Sequence, residues 1–247
     1  MATFFRSKPK VPSTTRGHRI YAIGDIHGCY ELFHRLMAKI IAHWESSPLT
    51  MKRVDVLLLG DVIDRGPDSA RCLNLLHGLT TTAHVRLLKG NHEDLLLKSL
   101  AGNSIAQNIW LENGGSDFLA SFGIEKPRPD EDSFDFGERL ARGVPDRFIE
   151  MLEKAPLLFR AGDYIFVHAG VKPGVALHKQ ADADLLFIRD EFTQSSRWHD
   201  AVVVHGHSIV DHVELHSNRI AVDTGAYHTG RLSCICLEGS RREVLHT

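Results

Sequence analysis

The chain is poor in cysteine, in unbalanced charge and in long apolar runs, and each scarcity excludes a class of protein. Its four cysteines (Cys29, Cys72, Cys234, Cys236) form neither a disulfide framework nor a paired C-x-x-C zinc site. Cys234 and Cys236 alternate in "LSCICLE" and read as buried thiols on one face of a strand. No apolar run approaches the roughly 20 residues that span a bilayer, so no membrane partner is expected. A net charge of −2 leaves no footprint for nucleic acid as a general partner. The opening "MATFFRSKPKVPSTTRGHR" is basic and lacks the apolar stretch of about 7–15 residues that marks a secretory signal. The expected location is therefore cytoplasmic, with residues 1–17 as a flexible basic tail. Internal repeats, low-complexity blocks and Gly/Ser linkers are also absent, which predicts a single domain over residues 18–247.

What the chain has in abundance is histidine, 16 in 247 residues, together with short apolar runs bounded by Gly, Asp or His. "RIYAI" (19–23), "VDVLLL" (54–59), "HVRLL" (84–88), "YIFV" (164–167), "AVVV" (201–204) and "RIAV" (219–222) read as mostly buried strands. Between the early ones lie helix-period segments. "ELFHRLMAKIIAHW" repeats apolar residues at Leu32, Leu36, Ile40 and at Phe33, Met37, Ile41, and "EDLLLKSLA" follows the third strand. The alternation predicts an α/β fold. Residues 102–154 break it and read as a mainly helical excursion. That excursion contains an acidic loop, "RPDEDSFDFGE", and a helix opening at Pro145. "HVELHSNRIAV" predicts a hairpin around Ser217 and Asn218, so the last third is dominated by strands. A mixed sheet, or two packed sheets flanked by helices, fits this pattern better than an all-parallel sheet.

Each strand runs into a polar turn. The sequences after them are G-Asp25-I-His27-G, G-Asp61-V-I-Asp64-Arg65-G, G-Asn91-His92-E, His168-A-G and His205-G-His207-S. Taken singly, each has an ordinary reading. Asp25 and His27 suit a turn, Asp61 and Asp64 suit caps for a helix beginning near Pro67, and Asn91 suits a left-handed turn or an N-cap. His168 and His207 suit loops. Those readings must be independent, whereas one shared site at the carboxyl ends of the strands explains all five. Two carboxylates, an amide oxygen and three imidazoles form a mixed N/O set suited to Mn²⁺, Fe or Zn²⁺. Six donors exceed one tetrahedral site, which points to two divalent ions sharing a carboxylate. Asp25 and Asp61 cancel only part of the ions' charge, so the site would attract a phosphate dianion and acidify a bound water.

In that order, "GDIHG", "GDVIDRG", "GNHE", "HAG" and "HGHS" resemble the signature of the calcineurin-like metallophosphoesterases, in particular the bacterial and phage serine/threonine phosphoprotein phosphatase branch. The closing "AVDTGA" (221–226) is similar to the end of that family's core. The resemblance implies a two-sheet sandwich flanked by helices, with a dinuclear metal centre at one edge. It further implies that Asp25 and His27 hold one ion, that Asp61 bridges, and that Asn91, His168 and His207 hold the other. His207 rather than His205 matches the family's ligand, which follows the glycine. His92 is then the general acid oriented by Asp64, while Arg65 and Arg189 clamp the phosphate. The implied reaction is in-line attack on phosphorus by a water that the metals acidify, without a phosphoenzyme. The expected cofactors are two divalent ions, Mn²⁺ first, with Fe or Zn²⁺ as options. The expected substrate is a phosphorylated protein or a small phosphate ester. The nearest rival is a symmetrical bis(5'-nucleosyl)-tetraphosphatase, which has closely similar motifs. A catalytically silent, metal-binding regulatory module would have no need of the His92 and Asp64 acid pair.

Overall fold

The computed structural model describes residues 11–46, 52–82 and 84–247. The first hundred residues alternate strand and helix: β1 (His18–Ile23), α1 (Tyr30–Glu45), β2 (Arg53–Leu58), α2 (Ser69–Thr80), β3 (Val85–Leu87) and α3 (Asn91–Leu100). The excursion is helical in its regular parts, with α4 (Ser104–Trp110), α5 (Ser116–Phe122), α6 (Ser133–Gly143) and α7 (Asp146–Glu153), and a kinked turn at Leu111–Gly115 joins α4 to α5. The remainder comprises β4 (Leu158–Ala161), β5 (Tyr164–Val167), α8 (Asp182–Phe187), α9 (Asp190–Thr193), β6 (Val202–His205), β7 (Glu214–Leu215), β8 (Arg219–Ala221), α10 (Ala226–Thr229), β9 (Ser233–Glu238) and β10 (Arg241–His246). No helix among the described residues is long and apolar enough to cross a membrane.

The strands form two mixed sheets of five, in the orders β10-β9-β1-β2-β3 and β4-β5-β6-β8-β7. In the first sheet β1, β2 and β3 are parallel, and in the second β5, β6 and β8 are parallel. Their side chains divide between layers with period two. Ile20 and Ala22 of β1, Leu57 of β2 and Leu59 just past its end face the other sheet. There they meet Tyr164, Phe166, Val202, Val204 and Ile220. Tyr21, Ile23, Val56 and Leu58 point the opposite way, into the core beneath α1, α2 and the excursion helices. On the far face of the second sheet, Ile165, Val167 and Val203 pack on Leu185, Ile188 and Phe192. These strands are apolar on both faces because both faces are covered, which is why they read as runs rather than alternations.

Several local expectations change. Helix α1 buries Phe33, Leu36, Met37 and Ile40, while Ile41 is exposed. A 3.6-residue period makes that i, i+3, i+4, i+7 set one contiguous stripe. The acidic run does open as a loop, with Asp130 and Asp132 exposed, and its end is anchored. Asp132 caps α6 by accepting from the amides of Phe134 and Asp135, and Glu131 is bridged by Arg139 at 2.7 Å. Asp61 and Asp64 do not cap α2, whose N-cap is Asp68. Residues 1–10 of the expected flexible tail lie outside the described residues. The rest of that segment is docked from Pro12 onward: the Tyr164 hydroxyl donates to Pro12 O, the Ser13 amide to Asp163, and the Thr14 amide to Gly239 O at 2.9 Å. The hairpin is β7–β8, with Leu215 opposite Ile220.

The apolar layer between the sheets joins the two halves and Phe166 is fully buried in it, so Phe166→Ala should lower unfolding free energy by about 3–5 kcal/mol in urea titration. Ile109→Ala, at an exposed position of α4, should cost no more than about 0.5 kcal/mol. Equal costs for the two would mean that the sheets are not held by this layer.

Candidate active site

The parallel strands of both sheets deliver their carboxyl ends to one edge, and the loops there are bonded to each other. The amides of Ile26 and His27, after β1, donate to Asp61 O after β2 at 3.0 and 2.9 Å. The Gly206 amide after β6 donates to His168 O after β5 at 2.9 Å. Hydrogen bonds join the sheets at this edge, among them His168 Nδ1 to Leu59 O at 2.9 Å and the His207 amide to Asp25 Oδ2 at 3.0 Å. The loops approach closely enough that a Cβ on Gly66 would lie 2.2 Å from His27 O, and one on Gly206 would lie 2.1 Å from Asp25 Oδ1. Only glycine fits at either point. Five non-glycine residues here adopt left-handed backbone, with φ of 47° at His27, 50° at Asp61, 73° at Asp64, 64° at Arg65 and 59° at His207. Each such residue costs about 1 kcal/mol or more, so the surrounding bonds must hold it there.

A cleft of about 130 Å³ opens among these loops, lined by Asp25, His27, Asp61, Arg65, Asn91, His92, Arg189, His207, Ile209 and Asp223. His168 lies beneath it and Asp64 behind His92, both fully buried. The structure thus brings together all ten residues singled out from the sequence. His205 is buried instead against Phe192 in an edge-on ring contact at 5.1 Å, with Nδ1 on Gly206 O.

The donor atoms converge as a cation site requires. His27 Nδ1 is 2.9 Å from Ile63 O and His168 Nδ1 is engaged by Leu59 O, so each ring's Nε2 turns inward. His168 Nε2 stands 2.8 Å from Asn91 Oδ1, 3.2 Å from His207 Nδ1 and 3.4 Å from Asp61 Oδ2. His27 Nε2 is 3.6 Å from the same Asp61 oxygen. Asp61 belongs to two sets of three donors, one with His168 and His207 and the other with His27 and His92. In the metal-free protein a proton on His168 holds this cluster of imidazoles, amide oxygen and carboxylate together, and Asp61 keeps it there. The mixed N/O donors converge within reach of a common ion, so a divalent ion could take the place of that proton, and the residues fit one.

The titration pattern is that of a charge-starved pocket. Burial and the neighbouring Asp223 carboxylate push Asp25 well up. Asp61 goes well below the usual carboxylate range, because His168 and His92 more than offset its burial. Burial pulls His27 down to about 3 and His207 to about 2. A bound cation would reverse the carboxylate shift at Asp25 and favour the neutral imidazoles.

His92 is arranged differently. Its Nδ1 lies 2.6 Å from Asp64 Oδ2, its amide donates to Asp61 Oδ1 at 3.0 Å, and its Nε2 is 3.4 Å from Arg65 Nη2. Burial opposes charge on this imidazole, but Asp61 and Asp64 together raise its pKa, so it holds a proton to give. Arg65 in turn donates to the Tyr227 hydroxyl at 2.6 Å and stacks 4.8 Å from that ring, which also meets His27 edge-on. Arg189 reaches the cleft from the turn before α9, with an unusual backbone of φ −128° and ψ −109°. Sequence reasoning missed Tyr227, Asp223 and the bridging carboxylate of Glu93. Glu93 carries a signal as the last letter of "GNHE", and Asp223 one in "AVDTGA", whereas "YHTG" has no spacing that marks it.

Comparison with known proteins agrees with this geometry. The calcineurin-like phosphoesterase family matches residues 18–234. The bis(5'-nucleosyl)-tetraphosphatase PrpE [asymmetrical] of Anoxybacillus flavithermus is 25% identical over 232 residues, covering 86% of this chain and 88% of that protein. Serine/threonine-protein phosphatase 2 of Escherichia coli is 26% identical, covering 87% and 90%. Among solved structures, a protein serine/threonine phosphatase from Saccharomyces cerevisiae superposes with a TM-score of 0.55 at 15% identity over 96% of this chain and 84% of that one, a likeness of fold. The chain belongs to the calcineurin-like phosphoesterases and is a metal-dependent phosphoester hydrolase.

Proposed function

We propose that the chain is a phosphomonoesterase of phosphoserine and phosphothreonine in proteins. In this reading one divalent ion is held by Asp25, His27 and the bridging Asp61, and a second by Asp61, Asn91, His168 and His207, with Mn²⁺ the ion best suited to the mixed donors. Bound there, the ions would supply Lewis acidity to the phosphoryl oxygens and lower the pKa of a water. The protein does the rest. Arg65 and Arg189 grip the phosphoryl oxygens, and the Tyr227 hydroxyl fixes the Arg65 guanidinium in place. His92 delivers the Nε2 proton to the departing oxygen while Asp64 keeps Nδ1 occupied.

The observation that carries the choice of substrate is this acid pair, at 2.6 Å and buried beside the Arg65 guanidinium. A serine or threonine alkoxide is a poor leaving group and needs a proton as the bond breaks, whereas a nucleotide leaving from an anhydride needs one far less. The cleft, of about 130 Å³, accepts the phosphoryl group. A second reading, hydrolysis of dinucleoside tetraphosphates, is favoured by the name of the Anoxybacillus relative.

Offered a phosphothreonine peptide and diadenosine tetraphosphate at equal concentration with Mn²⁺, the enzyme should release phosphate from the peptide faster. Faster nucleotide production would transfer the assignment to the second reading. His92→Ala should slow peptide hydrolysis by about 10²–10⁴-fold, and unchanged turnover would remove the acid from the mechanism. Metal uptake should also expel protons. Burial opposes charge on His168, yet Asp61 pushes it up to about 10, so in the metal-free protein its imidazole is charged below that pH while an ion needs it neutral. Mn²⁺ affinity should therefore climb as pH rises from 6 to 9, and calorimetry in buffers of different ionisation enthalpy should register proton release. A pH-independent affinity would contradict this.

A further inference from the structure

The helical excursion reaches into the acid pair through one indole. Trp110, the last residue of α4, is fully buried, and its Nε1–H donates to Asp64 Oδ2 at 2.9 Å. That is the same oxygen that His92 Nδ1 meets at 2.6 Å, while Oδ1 of Asp64 is buried with no partner. The surroundings are shaped for this contact. A Cβ on Gly115 would lie 2.6 Å from the indole, so glycine leaves the space that the ring fills. Phe118 closes its flank edge-on at 5.6 Å. From the same kinked turn between α4 and α5, Gly114 O accepts from the Arg65 amide at 3.3 Å, and a Cβ on Gly114 would lie 2.7 Å from Arg65. The excursion thus grips the loop after β2 at Asp64 and at Arg65, both of which hold left-handed backbone.

We propose that Trp110 is a positioning residue for the general acid. Two donors on one carboxylate oxygen fix the plane and rotamer of Asp64. The carboxylate fixes the His92 ring, and the ring aims Nε2 into the cleft. Phenylalanine would fill the same volume and leave the buried carboxylate with a single donor, free to turn toward its unpartnered Oδ1. The excursion, on this account, sets the aim of the acid rather than covering the substrate. The inference rests on His92 acting as the acid, and small esters make the test independent of the natural substrate.

The experiment compares kcat and KM for p-nitrophenyl phosphate and phenyl phosphate with the Mn²⁺-loaded enzyme, Trp110→Phe and His92→Ala. Phenoxide leaves less readily than p-nitrophenoxide and depends more on a delivered proton. Trp110→Phe should raise the kcat ratio of the nitrophenyl to the phenyl ester at least about fivefold, in the direction of His92→Ala, with the change in kcat rather than KM. A second replacement, β-(3-benzothienyl)alanine at position 110, keeps the shape of indole and exchanges its N–H for sulfur; it should reproduce the Phe result without loss of packing. An unchanged ratio, or an equal fall for both esters, would overturn the proposal and leave Trp110 as packing alone. A His92→Ala enzyme with no leaving-group selectivity would overturn it too, by removing the acid that Trp110 is proposed to aim.

Discussion

The site depends on one buried carboxylate that is neither a metal donor nor an acid. Glu93, fully buried in the first turn of α3, accepts from the amides of Asp61 and Gly90 on Oε2, at 2.8 and 2.9 Å, and from Val62 on Oε1 at 2.8 Å. These amides belong to the loops after β2 and after β3. A single side chain therefore fixes where Asp61 stands relative to Asn91 and His92. Burial, with the Asp61 carboxylate nearby, pushes Glu93 up to about 7. An amide buried without such a partner would cost as much as a lost hydrogen bond, so three amides satisfied at once make the loop geometry stiff.

That stiffness is what the chemistry requires. Positive φ at His27, Asp61, Asp64, Arg65 and His207 sets the direction of five side chains in and behind the cleft, against the ordinary preference of L-residues. Among the described residues only Asp200 shares this conformation without glycine's freedom. The conformational cost is offset by the two packed cores on either side of the first sheet, which hold the strand ends rigid. Strain concentrated at the carboxyl ends of parallel strands, on a frame packed on both sides, is the expected price of a preorganised site.

Much of this was readable before any coordinates, and for a physical reason. Parallel strands with buried faces appear as apolar runs, and the polar residue that ends each run must sit at the sheet edge, so Asp25, Asp61, Asn91, His168 and His207 could be grouped from the sequence. Glu93, Trp110 and Tyr227 were not legible in the same way. Their roles come from contacts between separate loops, such as Trp110 to Asp64 across 46 residues and Tyr227 to Arg65 across 162, and no periodicity encodes such a contact. The acidic run is exposed at Asp130 and Asp132 as its composition suggests, but composition does not show that Asp132 also caps a helix or that Glu131 pairs with Arg139. Of the basic segment only residues 11–17 are described. From Pro12 onward its backbone bonds to the turns beside Asp163 and Gly239, partners that lie about 150 or more residues away.

The central claim is that Asp61 stands between two cation sites built from different strand ends. Anomalous diffraction from crystals grown with Mn²⁺ tests it most directly. The account expects two peaks that share Asp61, one against Asp25 and His27 and the other against Asn91, His168 and His207. A single peak, or two peaks with no common carboxylate, would contradict it.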